Sequence, residues 1–170
     1  MVNTKVQIEN NRISFHQYLT RRGLDNCSIN SLLFQMIPRS LIQPGFLKFW
    51  RMWNPFFGYI LFLFYVQIGG NNKRNIAVVI VFLSSGFILH DLLFFFFTGI
   101  FSFVFTISFL FYSILFTINS FHNYERYFYN GSKLNNAFLN ISFIISGLLV
   151  GYSINYLLFP GSILYNYLSL

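Results

Sequence analysis

Cysteine is nearly absent from this chain: Cys27 stands alone among 170 residues, so neither an intrachain disulfide nor a Cys-x-x-Cys metal or redox motif can form. Charge is scarce as well, at 9% of residues against about 25% in a soluble globular domain. Acidic residues number 4 against 11 basic ones, a balance of +7. That excess does not make a nucleic-acid binder, because the cations flank apolar runs and form no basic stripe on a polar scaffold. Residues 1–30 are mixed and polar (Lys5, Glu9, Arg12, Arg21, Arg22, Asp25) and hold no apolar stretch followed by a small-residue cleavage site, so no signal peptide is expected. There is no Walker loop, zinc-ligand cluster or Gly-x-Ser-x-Gly elbow.

What the chain does have is apolar length. Hydrophobic residues make up 55% and aromatics 22%, with 25 Phe and 11 Tyr, and the mean hydropathy is +0.57. Runs this long without strand alternation predict an all-α integral membrane protein, since helices satisfy their own backbone in lipid. Residues 1–45 read as an amphipathic, interfacial N-terminal region. Within it, Ser31-Leu-Leu-Phe-Gln-Met-Ile37 is too short to span and is expected to end at Pro38, which lacks the helical donor. Residues 46–159 form the membrane domain, and 160–170 a C-terminal tail. Trp50 and Trp53 alternate with Lys48 and Arg51, a mixture suited to the headgroup boundary. Residues 56–68 are apolar but only about 20 Å long at 1.5 Å per residue, short of a core of about 30 Å. After the Gly69-Gly-Asn71 turn, residues 76–118 run almost unbroken for twice a span, which predicts two helices, 76–97 and 99–118, joined at Thr98-Gly99. The last span is 136–159, closed by Pro160-Gly161.

Charge placement sets the expected topology. Residues 1–53 carry seven cations and two anions, the 69–75 turn adds Lys73 and Arg74, and the 119–135 loop holds Arg126 and Lys133 against Glu125. The positive-inside rule places all three on the cytoplasmic side. Three full spans plus one partial or re-entrant helix at 56–68 meet that condition. With no cleavable signal, a bacterial plasma membrane with the N-terminus in the cytoplasm is the expected location.

His90 and Asp91 are, tyrosines aside, the only ionisable side chains inside the 76–118 run. Such groups are costly in lipid unless they face protein or water, which marks them as functional candidates. Gly86 lies one turn before His90 on an α-helix and Ser85 flanks it, an arrangement that predicts a small-residue opening beside the imidazole. Hydrogen bonding to a neighbouring helix accounts equally well for both ionisable residues. Asn54 precedes Pro55 and reads either as a polar hook for substrate or as a helix N-cap, with proline at the first helical position. His16 and His122 fall in polar segments and read as solvated. The Phe94 to Phe97 run reads as lipid-facing, and Asn130-Gly-Ser132 and Asn140-Ile-Ser142 as chance glycosylation matches.

In order along the chain, Phe49-Trp-Arg-Met-Trp-Asn54, a short apolar element, Gly69-Gly-Asn71 and Val81-Phe-Leu-Ser-Ser-Gly-Phe-Ile-Leu-His90-Asp91 resemble the core of the membrane-bound O-acyltransferases. The likeness covers residues 46–95. It departs at Gln67, where the family usually has proline, and at Asn54, where bacterial relatives often have histidine. The resemblance implies transfer of an acyl group from a thioester, acyl-CoA or a charged carrier protein, to a hydroxyl acceptor. It places His90 at the catalytic histidine and Asn54 at the second polar position, with Asp91, Trp53, Ser85 and Gly86 in support, and requires neither metal nor bound cofactor. Family members build a tunnel from about ten spans, so this chain is expected to assemble with itself or with a partner membrane subunit. The alternative is a non-catalytic subunit or scaffold that keeps the motif. A proton or ion pathway through His90 and Asp91 would need polar residues continuing to both faces, and the sequence has no such line.

Overall fold

Every backbone donor and acceptor in an apolar run must be satisfied within the chain, and the result is a molecule of helices. A computed structural model describes residues 13–24, 29–70, 72–122, 128–129 and 131–159. Residues 1–12, Cys27, Asn71, the loop with Glu125 and Arg126, Asn130, Pro160-Gly161 and the 160–170 tail lie outside the described residues. The elements are α1 (Phe15–Thr20), α2 (Ile29–Leu41), α3 (Phe46–Trp53), α4 (Pro55–Gln67), α5 (Arg74–Gly86), a π-helical turn (Phe87–Asp91), α6 (Leu92–Thr98), α7 (Val104–His122) and α8 (Lys133–Leu158). Three continuous helices are long and apolar enough to cross a membrane: Arg74–Thr98, Val104–His122 and Lys133–Leu158. α4 is shorter, at 13 residues. The chain is an all-α membrane protein, with three helices among the described residues that are long and apolar enough to span.

Several boundaries differ from the sequence reading, for local reasons. Pro38 does not end α2, which runs on to Leu41. The carbonyl that proline leaves without a helical donor is that of Phe34, whose side chain is 83% exposed, so the missing bond falls on an open face near the end of the helix. The chain then turns through residues 42–45 to Gly45, which precedes α3 with φ 126°. The second span starts at Val104, because Gly99 closes α6 with φ 71° and donates to the Phe95 carbonyl at 2.7 Å. It then continues through His122, which belongs to α7 and not to the loop. Residues 15–20, read as polar and unassigned, form α1 because Ser14 and Gln17 make a reciprocal capping box.

The core forms where α3 lies on α7. Phe46, Phe49, Phe109, Tyr112 and Phe116 are buried together, while Lys48 and Arg51 occupy the exposed face of α3. Helix α8 approaches α7 through Gly147 and Gly151, spaced one turn apart. A Cβ at Gly147 would meet the Tyr112 ring, and one at Gly151 would meet the Ser108 hydroxyl and the Val104 carbonyl. Close backbone approach of this kind replaces the hydrophobic drive that lipid does not supply. Gly151→Leu should therefore force α7 and α8 apart and destabilise the protein by about 3 kcal/mol, read as an earlier unfolding midpoint in a denaturing-detergent titration. An unchanged midpoint would rule out this packing.

Asparagines tie the layers. Asn140 Nδ2 donates to the carbonyls of Leu41 (2.6 Å) and Gln43 (2.9 Å), and Asn136 Nδ2 to that of Ile42 (3.2 Å). These bonds satisfy the C-terminal end of α2, whose last carbonyls have no helical donor. Tyr129 donates its hydroxyl to Asn140 Oδ1 at 2.7 Å.

Helix α1 is held by Tyr18, 2% exposed, whose hydroxyl fits over Gly58. The Arg22 guanidinium stacks 3.4 Å from the Tyr18 ring centre, and its Nε donates to the Arg51 carbonyl at 3.1 Å. Burial pushes the Tyr18 phenol up from 10.0 to about 12, with Arg22 and Arg51 opposing the shift. A raised phenol favours the folded state fully below pH 10, and that contribution is lost as pH rises to about 12. Thermal unfolding in detergent should show a fall in stability across this window that Tyr18→Phe lacks. Identical alkaline profiles for the two proteins would contradict the assignment.

Candidate functional site

The span that carries His90 is irregular at the histidine itself. Residues Phe87–Asp91 wind as a π-helix, with i to i+5 closure, a form common at functional positions in helices. Spacing by five brings His90 over Ser85: its Nδ1 lies 3.0 Å from the Ser85 carbonyl oxygen. A carbonyl only accepts, so Nδ1 carries the proton and the lone pair of the neutral ring is on Nε2. The imidazole packs against Phe109 (ring centres 4.8 Å apart) and Phe105 (5.3 Å). It is half-buried among rings, in surroundings that hold a base in place without offering it a competing acid.

The same turn changes the partner of Gly86. An α-helix would align Gly86 with His90, but here it shares a face with Asp91, five residues on. A Cβ at Gly86 would stand 2.9 Å from the Phe105 carbonyl oxygen, 2.9 Å from Thr106 Cα and 3.0 Å from Phe109 Cβ. The opening expected at Gly86 is thus filled by the backbone of α7.

Asp91 is fully buried and caps that same helix from outside it. Its carboxylate accepts from the Phe105 N–H (3.0 Å), the Thr106 N–H (2.7 Å) and the Thr106 hydroxyl (2.6 Å). Asn155 Oδ1, from α8, takes the Phe103 N–H at 3.0 Å. The first amides of a helix have no internal acceptor and carry the positive end of its dipole, so an anion placed there by a neighbouring helix is stabilised.

Asn54 lies at the junction of α3 and α4. Its Oδ1 accepts from the N–H groups of Phe56 and Phe57, both at 3.2 Å, with Pro55 at the first helical position. The carboxamide oxygen is committed to the cap, leaving Nδ2 as the group able to donate to a ligand. Trp53 packs on Phe49 at 5.2 Å. Among the described residues no hydrogen bond or ring contact joins Asn54 or Trp53 to His90. The connection between the tryptophan segment and the histidine is made by Trp50, which packs 5.2 Å from Phe109, the ring His90 also touches. Sequence reasoning gives Trp50 to the headgroup boundary and Phe109 to lipid-facing or packing surface, and passes over Thr106. Their types are ordinary for apolar helices, and only the tertiary fold gathers them.

Among the described residues no group of three His, Cys, Asp or Glu side chains is placed to hold a metal ion. The site belongs to an α-helical membrane protein, with three candidate spans among the described residues, and holds an oriented imidazole in an aromatic setting. Compared with family profiles, curated proteins and solved structures, the chain matches none.

Proposed function

We propose that the chain is the histidine-bearing core of a membrane-embedded O-acyltransferase, transferring an acyl group from acyl-CoA or an acyl-carrier thioester to a hydroxyl acceptor. The observation that carries this reading is the orientation of His90, whose bond to the Ser85 carbonyl leaves Nε2 as a free base. In the reaction the acceptor oxygen attacks the thioester carbonyl carbon while Nε2 takes the hydroxyl proton. The tetrahedral oxyanion then collapses, the C–S bond breaks, and the departing thiolate takes the proton from the imidazolium. An ester and a free thiol leave. Asn54 has a positioning role, its Nδ2 directed by the cap that fixes its oxygen. Lys48, Arg51, Lys73 and Arg74 are exposed, and the positive-inside rule supports a cytoplasmic location for them, the side from which a thioester donor would enter.

A second reading, a non-catalytic membrane subunit, is favoured by Asp91 and Asn54 both serving as helix caps and by the filled space over Gly86. In either reading the chain works with further copies or a partner subunit. Thiol release from a panel of acyl-CoA and acyl-carrier donors, measured with protein in lipid, separates the two. Turnover that disappears in His90→Ala supports the enzyme. Absence of turnover with every donor, or turnover indifferent to His90→Ala, overturns it.

A further inference from the structure

The indole N–H of Trp50 is buried and has no acceptor. A donor in that state is costly, and in a folded protein it marks a place where something else completes the bond. The surrounding rings do not help. Trp50 is bounded by Phe46, Phe49, Phe82, Phe109 and Tyr112, with centres 5.2 to 5.7 Å away, and the Tyr112 hydroxyl is already given to the Ile144 carbonyl at 2.7 Å. One of these rings, Phe109, also carries His90 at 4.8 Å. The oriented base and the unpaired donor therefore pack on a single side chain. Among the described residues two other buried polar side-chain atoms lack partners. Asn136 Oδ1 is an acceptor, and Asn155 Nδ2 belongs to a side chain fixed at the start of α7 by Phe103.

We infer that Trp50 Nε1–H is the hydrogen-bond donor to the acyl carbonyl oxygen of the thioester, an assignment that rests on the acyltransferase reading. As the acceptor oxygen bonds to the carbonyl carbon and its proton passes to His90 Nε2, the carbonyl electron pair moves onto oxygen. A fixed donor in an apolar setting stabilises that charge most where it develops. When the carbonyl re-forms and the C–S bond breaks, the proton returns from His90 to sulfur. Trp50 keeps its own proton throughout. Of the other donors, His90 Nδ1–H is given to the Ser85 carbonyl, and Asn54, whose Nδ2 remains able to donate, shares no hydrogen bond, among the described residues, with those around His90.

The test is Trp50→Phe, which keeps an aromatic ring and removes the N–H. Thioester turnover should fall about 100-fold in kcat with KM little changed, while the melting temperature stays level or rises because an unmet donor is gone. A packing role predicts the reverse, a lower melting temperature with kcat kept. The second measurement needs no turnover. In Trp53→Phe protein, where Trp50 is the only indole, a ketone analogue of acyl-CoA with CH2 in place of sulfur is added, and the indole N–H band is followed by ultraviolet resonance Raman. The band should shift on saturation. Wild-type kcat in Trp50→Phe, or a bound analogue that leaves the band unmoved, overturns the role of Trp50 alone. If wild-type protein neither turns over a thioester nor binds the analogue, the acyltransferase reading fails and the assignment of Trp50 falls with it.

Discussion

Asp91→Ala should destabilise the protein by about 3 to 5 kcal/mol, a large part of the roughly 5 to 15 kcal/mol that holds a typical domain folded. The substitution leaves two backbone N–H groups and one hydroxyl at the start of α7 without an acceptor. Each unsatisfied buried donor costs about 1 to 3 kcal/mol, and the hydrocarbon around the span offers no water in replacement. Truncation also opens a void beside Gly86, against which α7 cannot close further. Asp91→Asn should fall between wild type and alanine, since one oxygen still accepts while the amide brings donors into a site made of donors. Unfolding midpoints in a mixed-micelle titration, taken for the three proteins in parallel, give the order. Equal midpoints for alanine and wild type would show that the cap contributes nothing.

For His90→Ala the expectation runs the other way, a small change in stability and a large one in rate. The ring is half-buried, its one bond goes to a carbonyl, and its removal leaves the α7 cap intact. A positioned general base contributes about 100 to 10,000-fold to a proton-transfer step, so kcat for thiol release should drop by that range with the fold kept. The pair of substitutions at adjacent residues thus separates two functions of one turn. Asp91→Ala should weaken the structure and, through it, activity, whereas His90→Ala should abolish activity in a protein that still unfolds where the wild type does. If both lose stability alike and no thioester turns over in the wild type, the non-catalytic subunit is the better account.

Span positions could be read from the sequence because hydropathy over about 20 residues is a property of composition and needs no partner. The cap at Asn54 was equally readable, since Asn-Pro at the start of an apolar run satisfies two local preferences at once. So was Gly147-Leu-Leu-Val-Gly151, a Gly-x-x-x-Gly pattern in a span that went unremarked although its spacing announces close helix packing. The capping box of Ser14 and Gln17 was overlooked in the same way. Asp91 is a different case. Its partners are Phe105 and Thr106, across a turn whose path no local pattern dictates, so the sequence marked the carboxylate as unusual without saying what it accepts. Gly86 was assigned to the face of His90 by α-helical arithmetic, and the π turn undoes that arithmetic by one residue. Trp50 stands out in the sequence as a boundary tryptophan and as part of the Trp-Asn segment, but neither signal says that its N–H lacks an acceptor, because a tryptophan at a membrane boundary is expected to find its own hydrogen bond.

The π turn constrains how this protein can vary. A helix that closes five residues where fewer would do holds, in effect, one residue more than a regular span requires. Loss of any single residue from 87 to 89 would let α5 run into α6 as one uniform α-helix, which in isolation is the easier structure to form. The faces beyond the deletion would change little, because four residues of α-helix turn through about 400° and the five-residue closure of the π turn covers nearly the same angle. Asp91, now four residues after Gly86, would still face the start of α7. What would go is the wide turn in which the Ser85 carbonyl meets His90 Nδ1 at 3.0 Å, since in a regular helix that carbonyl takes the N–H four residues on. Phe87 and Ile88 are 38% and 52% exposed, so their identity is lightly held and other apolar side chains would serve. Losing one residue here should leave the cap of α7 in place and cost the imidazole its orientation.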